Sequence, residues 1–314
     1  MYYPYVRGRQ YELLALKELL TQGVLSKNII PIIEPVKLSP TLVKTLEEFD
    51  KSNKKICFII NPDVGLFVSD VNNIDKENYR RRFDELICKN SIQKALIVKG
   101  SVSSQIEGWI KQYKTKKLDW IIINNKRESA PLFEEIFQGD YPVLTFISDE
   151  SSFRRNIRRN RGLLEDRFGR MDRNADCSVK DDEFFSDDHI YYKEDGFEAF
   201  SDYSVVGADY LESGFAPYAV AIHIVYFDDK NRLRIRHFVS DNNSDIQNPA
   251  GKFYEAVSKL VVWVENNNNI TRTKGLEAFI NHHGNQTYPG LGSVKKLSLM
   301  HHLELMGKYL DRED

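Results

Sequence analysis

Asn28-Ile29-Ile30-Pro31-Ile32-Ile33-Glu34-Pro35-Val36-Lys37 opens with an apolar run of strand length, free of polar alternation, that stops abruptly at Glu34 and Lys37. A run of that kind predicts a strand covered on both faces, as in the parallel sheets of α/β proteins. Four later stretches repeat the design. Ile56 to Ile60 is followed by Asn61 and Asp63, and Ala95 to Val98 by Lys99. Trp120 to Ile123 is followed by Asn124 and Asn125, and Val143 to Ile147 by Ser148 and Asp149. Each predicted strand therefore carries polar groups at its carboxyl end.

Helical patterns fill the intervals between these runs. Leu13, Leu16, Leu19 and Leu20 share one stripe, and Ser39-Pro40 supplies a capping residue and a first-turn proline before Leu42, Leu46 and Phe49. Further helices are expected around Phe83, within Ser101 to Tyr113, around Phe133, and from Ser151 to Arg161. Asp70 to Asp75 reads as a polar loop. Tyr2 to Val6 reads as an opening strand, Gly162 to Phe168 as a seventh, and Asp202 to Val206 as an eighth. Strands alternating with helices indicate right-handed βαβ units in a parallel sheet. The expected fold is α/β, a (β/α)8 TIM-like barrel. A doubly wound open sheet competes, but no G-x-G-x-x-G turn follows the early strands.

Further along the chain the pattern changes. One barrel-like domain over residues 1–314 is expected to carry an acidic loop insertion at 171–199, a β-hairpin at 218–239 and a C-terminal helical part at 252–310. The hairpin turns at Asp228-Asp229-Lys230-Asn231. A chain of 314 residues can bury a sizeable core, and its net charge of −2 gives no global attraction to nucleic acid or an anionic membrane. Three cysteines without CxxC spacing argue against a disulfide framework or structural zinc and fit a cytoplasmic protein. No apolar stretch approaches the roughly 20 residues that cross a bilayer, and no signal core accompanies Arg7 and Arg9.

Tyr3-Pro4-Tyr5 with Arg7-Gly8-Arg9-Gln10-Tyr11-Glu12, the run at 29–35, and Asp202-Tyr203 together resemble the "beta protein" family of phages and bacteria. The likeness spans about the first two hundred residues. It implies a barrel-like α/β fold and residence in prophage or anti-phage defence neighbourhoods, often beside a partner gene. It implies no established reaction.

In a barrel the strand ends converge on one mouth, so Arg7, Glu34, Lys37, Asp63, Lys99, Asn124, Asp149, Glu165 and Arg167 are candidates for one pocket. Glu34, Lys37, Lys99 and Glu165 are the catalytic candidates. The two glutamates would form a general acid/base pair, and the two lysines would hold a phosphate or a carboxylate. Arg7, Asp63, Asn124, Asp149 and Arg167 are the ligand-binding candidates. The bland reading of each is a strand cap or a loop brace. Glu34, Asp63, Asp149 and Glu165 admit magnesium, but the nearby cations would neutralise them, so no metal site is assigned and the cofactor is unknown.

Arg154, Arg155, Arg158 and Arg159 form the strongest local charge signal. On a helix the pairs 154/158 and 155/159 stand one turn apart, suited to phosphates, to an acidic protein face or to the acidic segment downstream. Nucleic acid is the weaker partner reading, since Phe153 is the one stacking residue nearby. His223 and His237 are expected to face each other across the hairpin, and the doublets His282-His283 and His301-His302 to lie at the surface or at helix ends. The leading functional expectation is a defence-associated barrel whose strand-end pocket binds a nucleotide or other phosphoester, acting as a phosphoester hydrolase if it is an enzyme. The alternative is a non-catalytic interaction protein that docks a toxin or nuclease from a neighbouring gene through its arginine helix and acidic loop.

Overall fold

A computed structural model of the chain describes residues 1–73, 76–100, 102–169, 180–210 and 217–313. The chain forms two compact units, one of residues 1–13, 27–165 and 191–202, the other of residues 14–26, 166–190 and 203–314. The sequence reads as one domain with additions. The additions instead gather into a unit of their own, because the hairpin and the last helices bury each other's apolar faces.

In chain order the strands of the first unit are β1 (Tyr5–Val6), β2 (Ile32–Ile33), β3 (Ile56–Ile59), β4 (Ile92–Ile97), β5 (Ile121–Ile123), β6 (Leu144–Ile147) and β7 (Arg161–Glu165). After β8 (Asp182–Ser186), which belongs to the second unit, β9 (Ala199–Asp202) completes the set. All neighbours pair in parallel in the order β1-β2-β3-β4-β5-β6-β7-β9. A parallel bridge from Tyr2 to Phe200 joins the last strand to the first, so the sheet closes into the expected barrel. The helices are α1 (Gln10–Thr21), α2 (Pro40–Lys51), α3 (Phe67–Val71), α4 (Glu77–Ile87), α5 (Ile106–Tyr113), α6 (Ala130–Phe137) and α7 (Ser151–Asn156). Ser39 caps α2 as its sequence predicts, its hydroxyl accepting from the Leu42 amide at 3.2 Å.

The direction of each side chain follows from one contact. The rings of Tyr3 and Phe146 meet at 5.1 Å although their strands are not neighbours, so both point into the lumen. Alternation then places Tyr5, Ile32, Glu34, Ile121, Ile123, Leu164 and Ser201 inside, and Thr145, Leu163, Glu165 and Asp202 outside. Asp202 accepts the Tyr2 hydroxyl at 2.6 Å on the outer side of the closing seam.

Three expectations change here. The basic helix ends at Asn156 instead of Arg161, because Ile157 turns extended and buries, and Asn160 takes a φ of 51° to enter β7. The eighth barrel strand is Ala199–Asp202, since Ser204 has a φ of 52° and cannot continue an extended chain. Asp70 belongs to α3 instead of a loop, and accepts the Leu38 amide at 2.9 Å.

In the second unit β10 (Ala221–Phe227) and β11 (Leu233–Val239) form the expected hairpin, and β8 adds antiparallel to β11. The acidic stretch is therefore partly a strand and not simply a loop. Its charges are tolerated because Asp182 meets Arg234 across the ladder at 2.6 Å. Asp172, Asp176 and Cys177, together with Ser101, lie outside the described residues. Helices α8 (Asp188–Tyr191), α9 (Pro249–Glu265), α10 (Lys274–Gly284) and α11 (Leu291–Glu313) complete the chain. Among the described residues no helix is long and apolar enough to cross a membrane.

Candidate functional site

The loops after β1 to β5 build one charged network at the barrel mouth. Glu34 follows β2 directly, points into the lumen and is fully buried. One of its oxygens accepts from the Tyr5 hydroxyl at 2.6 Å and from the Arg7 guanidinium, while the other accepts from the Asp63 amide at 2.8 Å. Such a carboxylate tolerates burial because every side of it meets a donor. It is a brace for three loops, and no vacant oxygen is left to act as a general base.

Asp63 is the second hub. Its two oxygens accept from Lys99 and from Lys126, each at 2.7 Å. Burial pushes its carboxyl upward, but hydrogen bonds from Lys126 and Lys99 outweigh that and hold it below the usual carboxylate range. Lys99 also donates to the carbonyls of Asn61 and Pro62, at 3.1 and 3.3 Å, so its three N–H groups are all engaged. Lys126 makes one such bond and is half exposed. Lys37 is exposed on the β2–α2 loop, with no hydrogen bond or ion pair among the described residues. Four cationic side chains, Arg7, Lys37, Lys99 and Lys126, thus stand on loops that supply two carboxylates already saturated with donors.

Two glycines let these loops approach. At Gly65, with φ of +74°, an added Cβ would lie 2.2 Å from the Val36 carbonyl oxygen. At Gly8, with φ of +61°, it would lie 3.0 Å from that of Glu34. No other residue type allows both the left-handed backbone and the close contact.

The remaining candidates lie elsewhere. Glu165 is on the outer face of β7, where it accepts the Asp149 amide at 2.8 Å, so strand alternation separates it from Glu34 in the lumen. The expected acid/base pair is therefore not assembled. Asp149 pairs with Arg154 beside it. Asn124 is fully buried and braces the start of α6 by accepting the Ser129 hydroxyl at 2.6 Å. Arg167, in the second unit, forks onto Asp188 at 2.8 and 2.7 Å. Among the described residues no group of three or more histidine, cysteine or acidic side chains is gathered for a metal ion. Glu34 and Asp63 have cations in the places where magnesium would bind, so the donor set does not fit that ion.

Sequence reasoning missed Tyr5 and Lys126. Lys126 follows Asn124 and Asn125 after β5 and repeats the pattern that singled out Lys99, so its signal was present. Tyr5 gave no polar signal, because only strand register shows that its hydroxyl reaches Glu34.

The second unit contains a cavity of about 610 Å³ lined by Arg236, Phe238, Lys259 and Trp263 among others. Its charges are matched internally, Arg236 to Asp181 at 3.1 Å and Lys259 to Asp241 at 2.6 Å. His223 and His237 face each other in register, their Nδ1 atoms 2.7 Å apart. His301 and His302 depart from expectation: both are buried within α11, bonded to Thr273 and Ser204 at 2.7 and 2.6 Å. Burial pushes them down to about 4 and about 3, which keeps both rings neutral near pH 7.

No known family model, curated protein or solved structure matches this chain.

Proposed function

We propose that the protein binds a small phosphate-bearing anion at the mouth of its barrel. The observation that carries this reading is the surplus of cations there, with Lys37 and Lys126 left as exposed groups around two saturated carboxylates. Lys126 has two N–H groups to offer, and Lys37 stands next to Val36, whose carbonyl accepts the Leu66 amide of the Asp63 loop at 2.7 Å. Glu34, Lys99 and Arg7 are positioning residues in this reading: they fix the loops and do not touch the ligand. The reading stops at binding, because hydrolysis would rest on a Glu34–Glu165 pair that strand alternation divides. A defence setting and a neighbouring-gene partner rest on the sequence resemblance alone.

Calorimetric titration with inorganic phosphate and with a nucleoside monophosphate tests the proposal. Lys126→Gln is expected to weaken binding by roughly tenfold, the worth of one charge-assisted hydrogen bond, while leaving the unfolding midpoint nearly unchanged. Lys37→Gln is expected to act in the same direction, and the double substitution to abolish measurable binding. Undiminished affinity in the double variant overturns the reading.

A further inference from the structure

The opposite end of the barrel carries a different kind of charge. All eight barrel strands are parallel, so the segments that enter them gather at one end, away from the mouth. Two such segments are Tyr141 to Val143 before β6 and Ile157 to Asn160 before β7. They are tied together by Asn160, whose side-chain amide donates to the Pro142 carbonyl at 2.7 Å. Arg155, Arg158 and Arg159 are exposed on this rim.

Several arginines are matched to a carboxylate: Arg82 to Glu47, Arg127 to Glu150, Arg154 to Asp149, Arg232 to Asp228 and Arg234 to Asp182. The three rim arginines are not. Among the described residues Arg155 and Arg158 donate only to backbone carbonyls, of Ser151 and Arg155, at 3.1 and 3.4 Å. Arg159 lies over the Tyr141 ring at 5.8 Å. Three guanidinium forks within five residues thus face solvent without an ion-pair partner among the described residues, beside the exposed apolar side chain of Val143.

We propose that this rim docks an acidic segment of a partner protein. Guanidinium forks match carboxylates bidentately, and arginine beside tyrosine is the composition that concentrates binding energy at protein interfaces. Nucleic acid fits less well. Phe153 is fully buried and the half-buried Tyr141 ring already has Arg159 over it at 5.8 Å, so the patch offers no run of free rings on which successive bases could stack. This goes beyond the mouth reading, uses none of its residues, and stands or falls separately.

The test uses the full chain and a fluorescent polyglutamate peptide followed by anisotropy, with a single-stranded oligonucleotide as the parallel probe. The wild type is expected to bind the peptide more tightly than the oligonucleotide at equal salt. Arg155→Glu/Arg158→Glu/Arg159→Glu is expected to lose roughly tenfold or more in peptide affinity with an unchanged unfolding midpoint. The corresponding triple lysine variant is expected to fall between the two, since it retains the charge and loses the fork. Lys126→Gln is expected to bind the peptide as the wild type does. Equal peptide binding by the wild type and the charge-reversed variant, or tighter binding of the oligonucleotide, overturns the proposal.

Discussion

The two ends of the barrel handle charge in opposite ways. At the mouth, Glu34 and Asp63 are each surrounded by donors from several loops, and most of the cations there are occupied in holding backbone and carboxylates in place. At the base, Arg155, Arg158 and Arg159 stand in solvent without a carboxylate among the described residues. Charge density alone would have ranked the base first. The pairing shows instead that the mouth charges are part of the fold, with a defined surplus, whereas the base charges make only exposed backbone contacts and one ring contact. Removing either mouth carboxylate should therefore cost stability, and removing a base charge should cost only recognition.

The sharpest way to break that contrast is Glu34→Ala, which removes the buried acceptor shared by Arg7, the Tyr5 hydroxyl and the Asp63 amide. A loss of about 3–5 kcal/mol in urea unfolding is expected, and a loss below about 1 kcal/mol would show the network to be ornamental. Next in size is Gly65→Ala, which drives a methyl against the Val36 backbone at a positive φ. About 2–3 kcal/mol is expected, with Gly23→Ala as a control that has the same sign of φ and open space around it.

A smaller effect is written in the acid limb of the stability curve. Asp63 is held below its usual value of 3.8, so the stability it contributes is present above pH 3.8 and is lost as pH falls through its folded value. The stability gap between wild type and Asp63→Asn should be constant near neutrality and close below that pH. A gap that persists unchanged into strong acid would contradict the two-lysine environment. Smallest of all is the charge reversal of Arg155, Arg158 and Arg159, expected to move unfolding by no more than about 0.5 kcal/mol.

The barrel was legible because buried parallel strands leave an unmistakable trace: runs such as Ile29–Ile33 and Trp120–Ile123 have no polar alternation, and each ends in a charged or amide side chain. Most of the mouth was legible for the same reason, since Arg7, Glu34, Lys37, Asp63 and Lys99 sit where those runs stop. What a sequence cannot carry is which face a terminal residue takes. One step of alternation puts Glu34 inside and Glu165 outside, although both are the glutamate at the end of a strand. The arginine rows failed for a tertiary reason, because Ile157 had to reach the core and so ended the helix after six residues. The buried His301-His302 doublet was misread because a helix whose middle is buried on nearly all sides can still admit imidazoles when Thr273 and Ser204 meet their ring nitrogens.

Amide chemical-shift mapping with inorganic phosphate tests the central claim most directly, because it reports which end of the barrel receives the anion. Saturable shifts are expected at Lys37, at Asp63 to Leu66 and at Lys126, and they should vanish in Lys37→Gln/Lys126→Gln. Shifts confined to Arg155 to Asn160, or none that saturate at the mouth, would contradict the account.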